Sequence, residues 1–98
     1  MNLTSHPHGD GGLSIHVDGD LTIYEAARTR ESLLALVDGA GPVELDLAGV
    51  GDIDSAGLQL LLATARTLGD RLTLVRASAA VREAIGLLGL GRRLPIVA

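Results

Sequence analysis

The sequence contains no cysteine, no lysine, no phenylalanine and no tryptophan, and Tyr24 is its single large aromatic. Without cysteine, disulfides, thiolate metal sites and a cysteine nucleophile are all excluded. Without aromatics there is no platform on which single-stranded nucleic acid or RNA bases could stack. The absence of lysine leaves arginine as the only basic side chain, and the formal net charge is −4. Such a chain repels phosphate backbones, and Arg92-Arg93 is only a pair, so no nucleic-acid partner is expected. No apolar run reaches the roughly 18 to 20 residues that span a bilayer. The start, Met1-Asn2-Leu3-Thr4-Ser5-His6, has neither the basic nor the apolar segment of a secretory leader. The chain therefore reads as soluble and cytoplasmic, with no direct membrane insertion.

What remains is a chain of 98 residues, room for one domain and one core built from Leu, Ile, Val and Ala. A domain of this size buries roughly 60 to 70% of the surface its unfolded chain exposes. Residues 1–12 read as a polar lead-in, closed by the turn-forming Gly9-Asp10-Gly11-Gly12. Residues 13–98 form the domain. Leu13, Ile15 and Val17 alternate with Ser14, His16 and Asp18, the period of a half-buried strand. From Thr22 to Val37, a helix is predicted with Ile23, Ala26, Ala27, Leu33, Leu34 and Val37 on its apolar side. Thr22 and Glu25 have the form of a capping box, and Gly39 is placed to end the helix.

Val43, Leu45 and Leu47 predict a second strand, and Leu58, Leu61, Leu62, Ala65 and Leu68 a second helix stopping near Gly69-Asp70. Leu72, Leu74 and Val75 predict a third strand. Val81, Ala84, Ile85 and Leu88 predict a third helix ended by Gly89. Leu94, Ile96 and Val97 can form a last short strand, which Pro95 would confine to an edge. Alternating strands and helices imply right-handed crossovers and a largely parallel sheet. Alternation within the strands implies one partly uncovered sheet face. The expected fold is a small single-domain α/β layer. It has a mostly parallel mixed sheet of about four or five strands, and three to four helices mainly on one face.

The segment Gly51-Asp52-Ile53-Asp54-Ser55-Ala56-Gly57 lies between a strand end and a helix start. Either Asp54 or Ser55 could cap that helix with its side-chain oxygen. The small residues around Ser55 also leave its hydroxyl approachable, at the end of a strand where α/β proteins tend to bind ligands and partners.

The run Leu45-Asp46-Leu47-Ala48-Gly49-Val50, followed by Asp54-Ser55-Ala56-Gly57-Leu58-Gln59-Leu60-Leu61-Leu62, resembles the STAS family, named for sulphate transporters and anti-sigma factor antagonists. Gly19-Asp20-Leu21 is similar to that family's early strand ending. Ile85-Gly86-Leu87-Leu88-Gly89-Leu90 with Leu94-Pro95-Ile96 is similar to its closing helix and strand. The resemblance implies a bacterial, non-enzymatic regulator that binds a serine kinase/anti-sigma factor and is switched by phosphorylation at Ser55. It also implies a partner-binding surface of Asp52, Asp54, Ser55, Ala56, Gly57, Leu58 and Gln59; Arg66 is a weaker candidate beside it, since an exposed helix arginine is more often only solvated. Ala56 departs from the second Ser that many antagonists carry there. Relatives of this size also serve in chemotaxis-type signalling, or bind the ATPase of a lipid-transport ABC complex. The uncovered sheet face is compatible with a monomer or a weak dimer.

Other candidates are weaker. His6-Pro7-His8 and His16 have too few acidic neighbours to suggest a metal, no cofactor is expected, and His16 reads as solvent-exposed. A serine hydrolase needs a base and an orienting acid, but Ser55 lacks the Gly-x-Ser-x-Gly elbow and no His follows it. Gly86, Gly89 and Gly91 are not followed by the Lys-Ser/Thr of a phosphate loop and read as a helix stop and turn.

Overall fold

The computed structural model describes residues 2–94 and residue 96 of the chain. Four strands, β1 (Asn2–Pro7), β2 (Leu13–Leu21), β3 (Val43–Ile53) and β4 (Leu72–Val75), form one sheet in chain order. β1 pairs antiparallel with β2, and the β2–β3 and β3–β4 pairs are parallel. The two parallel connections carry α1 (Ile23–Val37) and α2 (Ser55–Leu68). A short 3₁₀ turn at Gly69–Arg71 follows α2, and α3 (Ala79–Leu87) follows β4.

The period-two pattern of the strands becomes cross-strand rows. Leu13, Val43 and Leu72 lie side by side, as do Ile15, Leu45 and Leu74. These rows merge with Leu33 and Val37 of α1, Leu58, Leu61 and Leu68 of α2, and Val81 and Ile85 of α3 in a single apolar cluster. Each fully buried side chain of this kind contributes roughly 1.5–3 kcal/mol. The intervening rows, Ser14–Glu44–Thr73 and His16–Asp46–Val75, alternate to the other face. No helix among the described residues is long and apolar enough to cross a membrane.

Four of the departures from the sequence expectations concern the elements themselves. The polar lead-in carries a strand: β1 is registered from Asn2 opposite Asp18 to Pro7 opposite Leu13. Its side chains are mostly exposed, so it is held by the backbone ladder and gives little hydrophobic signal. On α1 the buried stripe is Thr29, Leu33 and Val37. Ile23 and Leu34 are 66% and 40% exposed, and Ala27 is also exposed. The sheet covers only one stripe of a helix, and Ile23, Ala27 and Leu34 fall on another. Leu88, expected on the buried side of α3, is exposed because α3 ends at Leu87 and the chain turns at Gly89, whose φ is +64°. Finally, the last short strand reduces to a parallel bridge between Leu74 and Ile96; Pro95 and Val97 lie outside the described residues.

Candidate functional site

β3 delivers the chain to Asp54 in an extended conformation (φ −114°, ψ −173°), and α2 begins at Ser55. The cap is Asp54, not Ser55. One carboxylate oxygen, Oδ1, accepts the Gly57 amide at 3.1 Å. The other, Oδ2, accepts the Ile23 amide of α1 at 2.9 Å. Its carbonyl accepts the Leu58 amide at 3.0 Å. A single side chain thus satisfies an orphan donor at the start of each helix and ties the two starts together. The amides of Ile23 first, and then of Gly57, hold the Asp54 carboxyl below its ordinary value, because both bonds favour the ionised form. Thr22 occupies the N-cap position of α1 but makes no side-chain cap bond; the carboxylate from across the sheet serves there instead.

Gly57 explains why the junction is so tight. A Cβ at this position would collide with the Leu21 carbonyl oxygen and lie 2.8 Å from Ile53 Cγ1. Only glycine lets the first turn of α2 rest directly on the ends of β2 and β3.

This packing sorts the expected surface into two layers. Asp52, Ser55 and Gln59 are exposed, with Ala56 and Asp54 half-buried. Gly57 and Leu58 are buried beneath them, so they support the surface without presenting a side chain to a partner. The Asp52 carboxylate accepts the Ile53 amide at 2.9 Å. Arg66 is exposed further along α2, in its last turn. No hydrogen bond ties down the Ser55 hydroxyl among the described residues.

Two exposed side chains also lie beside the Ser55 loop. The Asp54–Ile23 bond brings the first turn of α1 to the Ser55 loop, and there Ile23 is 66% and Tyr24 92% exposed. The available signal was that Tyr24 is the chain's lone large aromatic and that Ile23 lies off the stripe defined by Leu33 and Val37. The histidines are placed elsewhere. His16 Nδ1 lies 3.3 Å from Asp46 Oδ2 on the uncovered face, where His6 packs edge-on against it and His8 bonds Ser14. His16, expected to be exposed, is half-buried in this cluster.

Residues 6–98 match the protein family described as "Mlab, STAS domain". An anti-sigma factor antagonist from Mycobacterium paratuberculosis is similar in structure, with a TM-score of 0.84 and 28% identity over 97% of this chain and 83% of that one. SpoIIAA in its unphosphorylated form shares the fold at a TM-score of 0.74 and 18% identity, covering 99% of this chain and 89% of its own. The phosphorylated Bacillus cell fate determinant SpoIIAA does so at a TM-score of 0.67, with 18% identity and 99% and 92% coverage. No protein of curated function matches the chain. The family match runs from within β1 to the end of the sequence, over the same mixed sheet and Asp54–Gly57 junction, and the chain belongs to the STAS domain family.

Proposed function

We propose that this chain is a non-enzymatic, cytoplasmic regulator of the anti-sigma factor antagonist type. Its Ser55 face holds a serine kinase/anti-sigma factor, and phosphorylation of Ser55 releases it. The observation that carries this reading is the division of labour between neighbours. Asp54 takes the cap, so the Ser55 hydroxyl stands at the first position of α2, exposed and uncommitted. The likeness to the mycobacterial antagonist supports the general type. That SpoIIAA, of the same fold, exists in unphosphorylated and phosphorylated forms supports a phosphorylation switch.

In the transfer, the Ser55 oxygen attacks the γ-phosphorus of ATP held by the partner, ADP leaves, and the hydroxyl proton passes to a base. Asp54 is poorly suited to be that base. Both of its oxygens accept backbone amides, and the same bonds make it a weaker proton acceptor. The base and the Mg²⁺ therefore come from the partner.

The added phosphate carries roughly −1.5 to −2 charges. The positive end of α2 favours it by about 0.3–1 kcal/mol, and the carboxylates of Asp52 and Asp54 oppose it. These opposed local effects leave the fold intact. Enclosing an unpaired phosphate in an interface costs several kcal/mol, and each 1.4 kcal/mol is about tenfold in affinity. The complex breaks while the domain stays folded.

A second reading is a subunit docked on the ATPase of a lipid-transport ABC complex. The family description, which carries the name Mlab, and Ala56 in place of a second serine favour it. One experiment separates the two. The chain is incubated with ATP and a candidate serine kinase/anti-sigma factor, the modified residue is mapped, and binding of unmodified and Ser55→Asp protein is measured by calorimetry. Phosphate on Ser55 and binding weakened about a hundredfold or more support the switch. Equal affinity for both proteins overturns it, and a phosphate-free complex with an ABC ATPase establishes the second reading.

A further inference from the structure

We propose that the groove between α1 and α2 is a docking channel for an acidic amphipathic helix of the partner that covers Ser55. The inference rests on the Ser55 reading and adds the chemistry of what binds beside it. The groove is shallow and open to solvent, with about 330 Å³ of space between Ala26, Ala27 and Arg30 of α1 and Ala56, Ala63 and Arg66 of α2. A dimple of only about 20 Å³ shares Arg30 and Ala63 with it and reaches Leu34 and Thr67. From Ala56 to Thr67 at 1.5 Å per residue, the channel is roughly 17 Å long, about three turns of a helix.

Its shape and chemistry select the occupant. The alanines on its walls keep the channel open to a close-packed ridge. The apolar stripe of α1 that the sheet leaves uncovered, Ile23, Ala27 and Leu34, flanks it with exposed hydrocarbon. Each helix contributes an arginine, and neither Arg30 nor Arg66 has a carboxylate within ion-pairing distance among the described residues. In a chain of net charge −4, two free guanidinium groups bordering one apolar groove, Arg66 lining a second hollow with Leu62, Ala65 and Arg93 as well, call for carboxylates on a partner, which arginine binds in bidentate fashion. An apolar helix face flanked by Asp or Glu satisfies both demands.

The channel opens at Ala56, immediately after Ser55. A phosphate placed at its mouth faces the same acidic helix that the arginines attract, so occupancy of the channel and modification of Ser55 oppose each other.

The test uses the ¹⁵N-labelled full chain and two capped synthetic 14-residue helical peptides. Both carry leucines at i, i+3, i+4 and i+7; one is flanked by Glu and the other by Lys. The Glu peptide is expected to shift the amides of Ala26, Ala27, Ala56 and Ala63, and to bind more weakly as salt rises. Arg30→Glu with Arg66→Glu should weaken it about tenfold and reverse the preference toward the Lys peptide. The milder Arg30→Gln with Arg66→Gln should act in the same direction without reversal. The proposal is overturned by equal binding of both peptides, by shifts confined to another surface, or by shifts at these residues from phosphatidylglycerol vesicles alone. The peptides carry no kinase, so their failure leaves the Ser55 reading standing, and a partner indifferent to Ser55→Asp leaves the groove result standing.

Discussion

Two carboxylates of β3 and its exit, Asp46 within the strand and Asp54 just past its end, are organised by different kinds of partner. Asp46 sits on the uncovered sheet face with its side chain only 9% exposed. Arg76 Nε reaches it at 2.9 Å, His16 Nδ1 at 3.3 Å and the Ala48 amide at 2.9 Å. Arg76 does this from a left-handed backbone, φ +52°, which an arginine adopts only at some cost. Asp54, by contrast, is bonded only to main chain among the described residues. A clamp made of side chains commits the residues around it to the fold. A clamp made on the backbone fixes the shape of a junction and leaves the neighbouring side chains, Ser55, Gln59, Ile23 and Tyr24, free for a partner. The difference implies that the open face stabilises the domain and the junction presents a surface, which substitutions can break or sharpen.

The largest effect is expected at the floor of the junction. Gly57→Ala sets a methyl group against the Leu21 carbonyl and the Ile53 side chain, and the backbone carbonyl cannot rotate away as a side chain could. α2 must lift, loosening the Asp54 cap. The cost should be about 3 kcal/mol, which for a domain of this size lowers Tm by the order of 15 °C. Calorimetry checks it. A fall of less than about 3 °C would mean that the helix start and the strand ends are not in rigid contact.

Next in size is the open-face clamp. Asp46→Ala leaves Arg76, His16 and the Ala48 amide without their acceptor, a cost of about 1–3 kcal/mol. Arg76→Ala should cost less, because the arginine is 69% exposed and its pair is partly screened. If the two regions divide their work as described, neither change alters partner affinity. Denaturant unfolding beside a binding titration would expose any coupling between them.

Asp54→Ala should lower Tm by several degrees, since both helices lose a cap; Asp54→Asn, which keeps one acceptor in place, should lower it less. The pH dependence has a definite sign. The folded carboxyl titrates below the ordinary 3.8, so its stabilisation is fully present above that pH and is lost as pH falls through 3.8 and then through the lower folded value. The gap in Tm between wild type and Asp54→Ala should therefore close as the solution is taken from pH 6 toward pH 2. A constant gap would show that the charge on Asp54 contributes nothing.

This division of roles was only half legible in the sequence. The strands of the parallel sheet could be read because Ile15, Val17, Leu45 and Leu47 repeat on one face with the strand's own period. The Asp54–Gly57 junction could be located because small residues and a cap former sit between a strand and a helix. What could not be read depends on distant partners. Asp54 reaches Ile23, and Asp46 reaches Arg76, across some thirty positions of chain, and no local pattern encodes either bond. The same holds for β1, which pairs through its backbone with few apolar side chains. It holds too for Ile23 and Leu34, whose apolar character suggested burial although no element covers them. Local reading also left the cap open between Asp54 and Ser55, and the geometry of a carboxylate with two usable oxygens decides it.

The smallest effect on stability is expected at Ser55 itself. Ser55→Ala removes a hydroxyl that bonds nothing among the described residues and places a better helix former in the first turn of α2. Ser55→Asp places a charge where the helix end favours it by about 0.3–1 kcal/mol but Asp52 and Asp54 repel it. Both variants should stay within about 0.5 kcal/mol of wild type, a shift of a few degrees in Tm at most. The Asp variant should nevertheless lose its partner while the Ala variant keeps it. A residue that served the fold would show the reverse: unequal stabilities and a parallel loss of binding. Measured together, unchanged melting and divergent affinity would locate the switch in the interface, because a phosphate acting by unfolding α2 must first appear as a lowered Tm in Ser55→Asp.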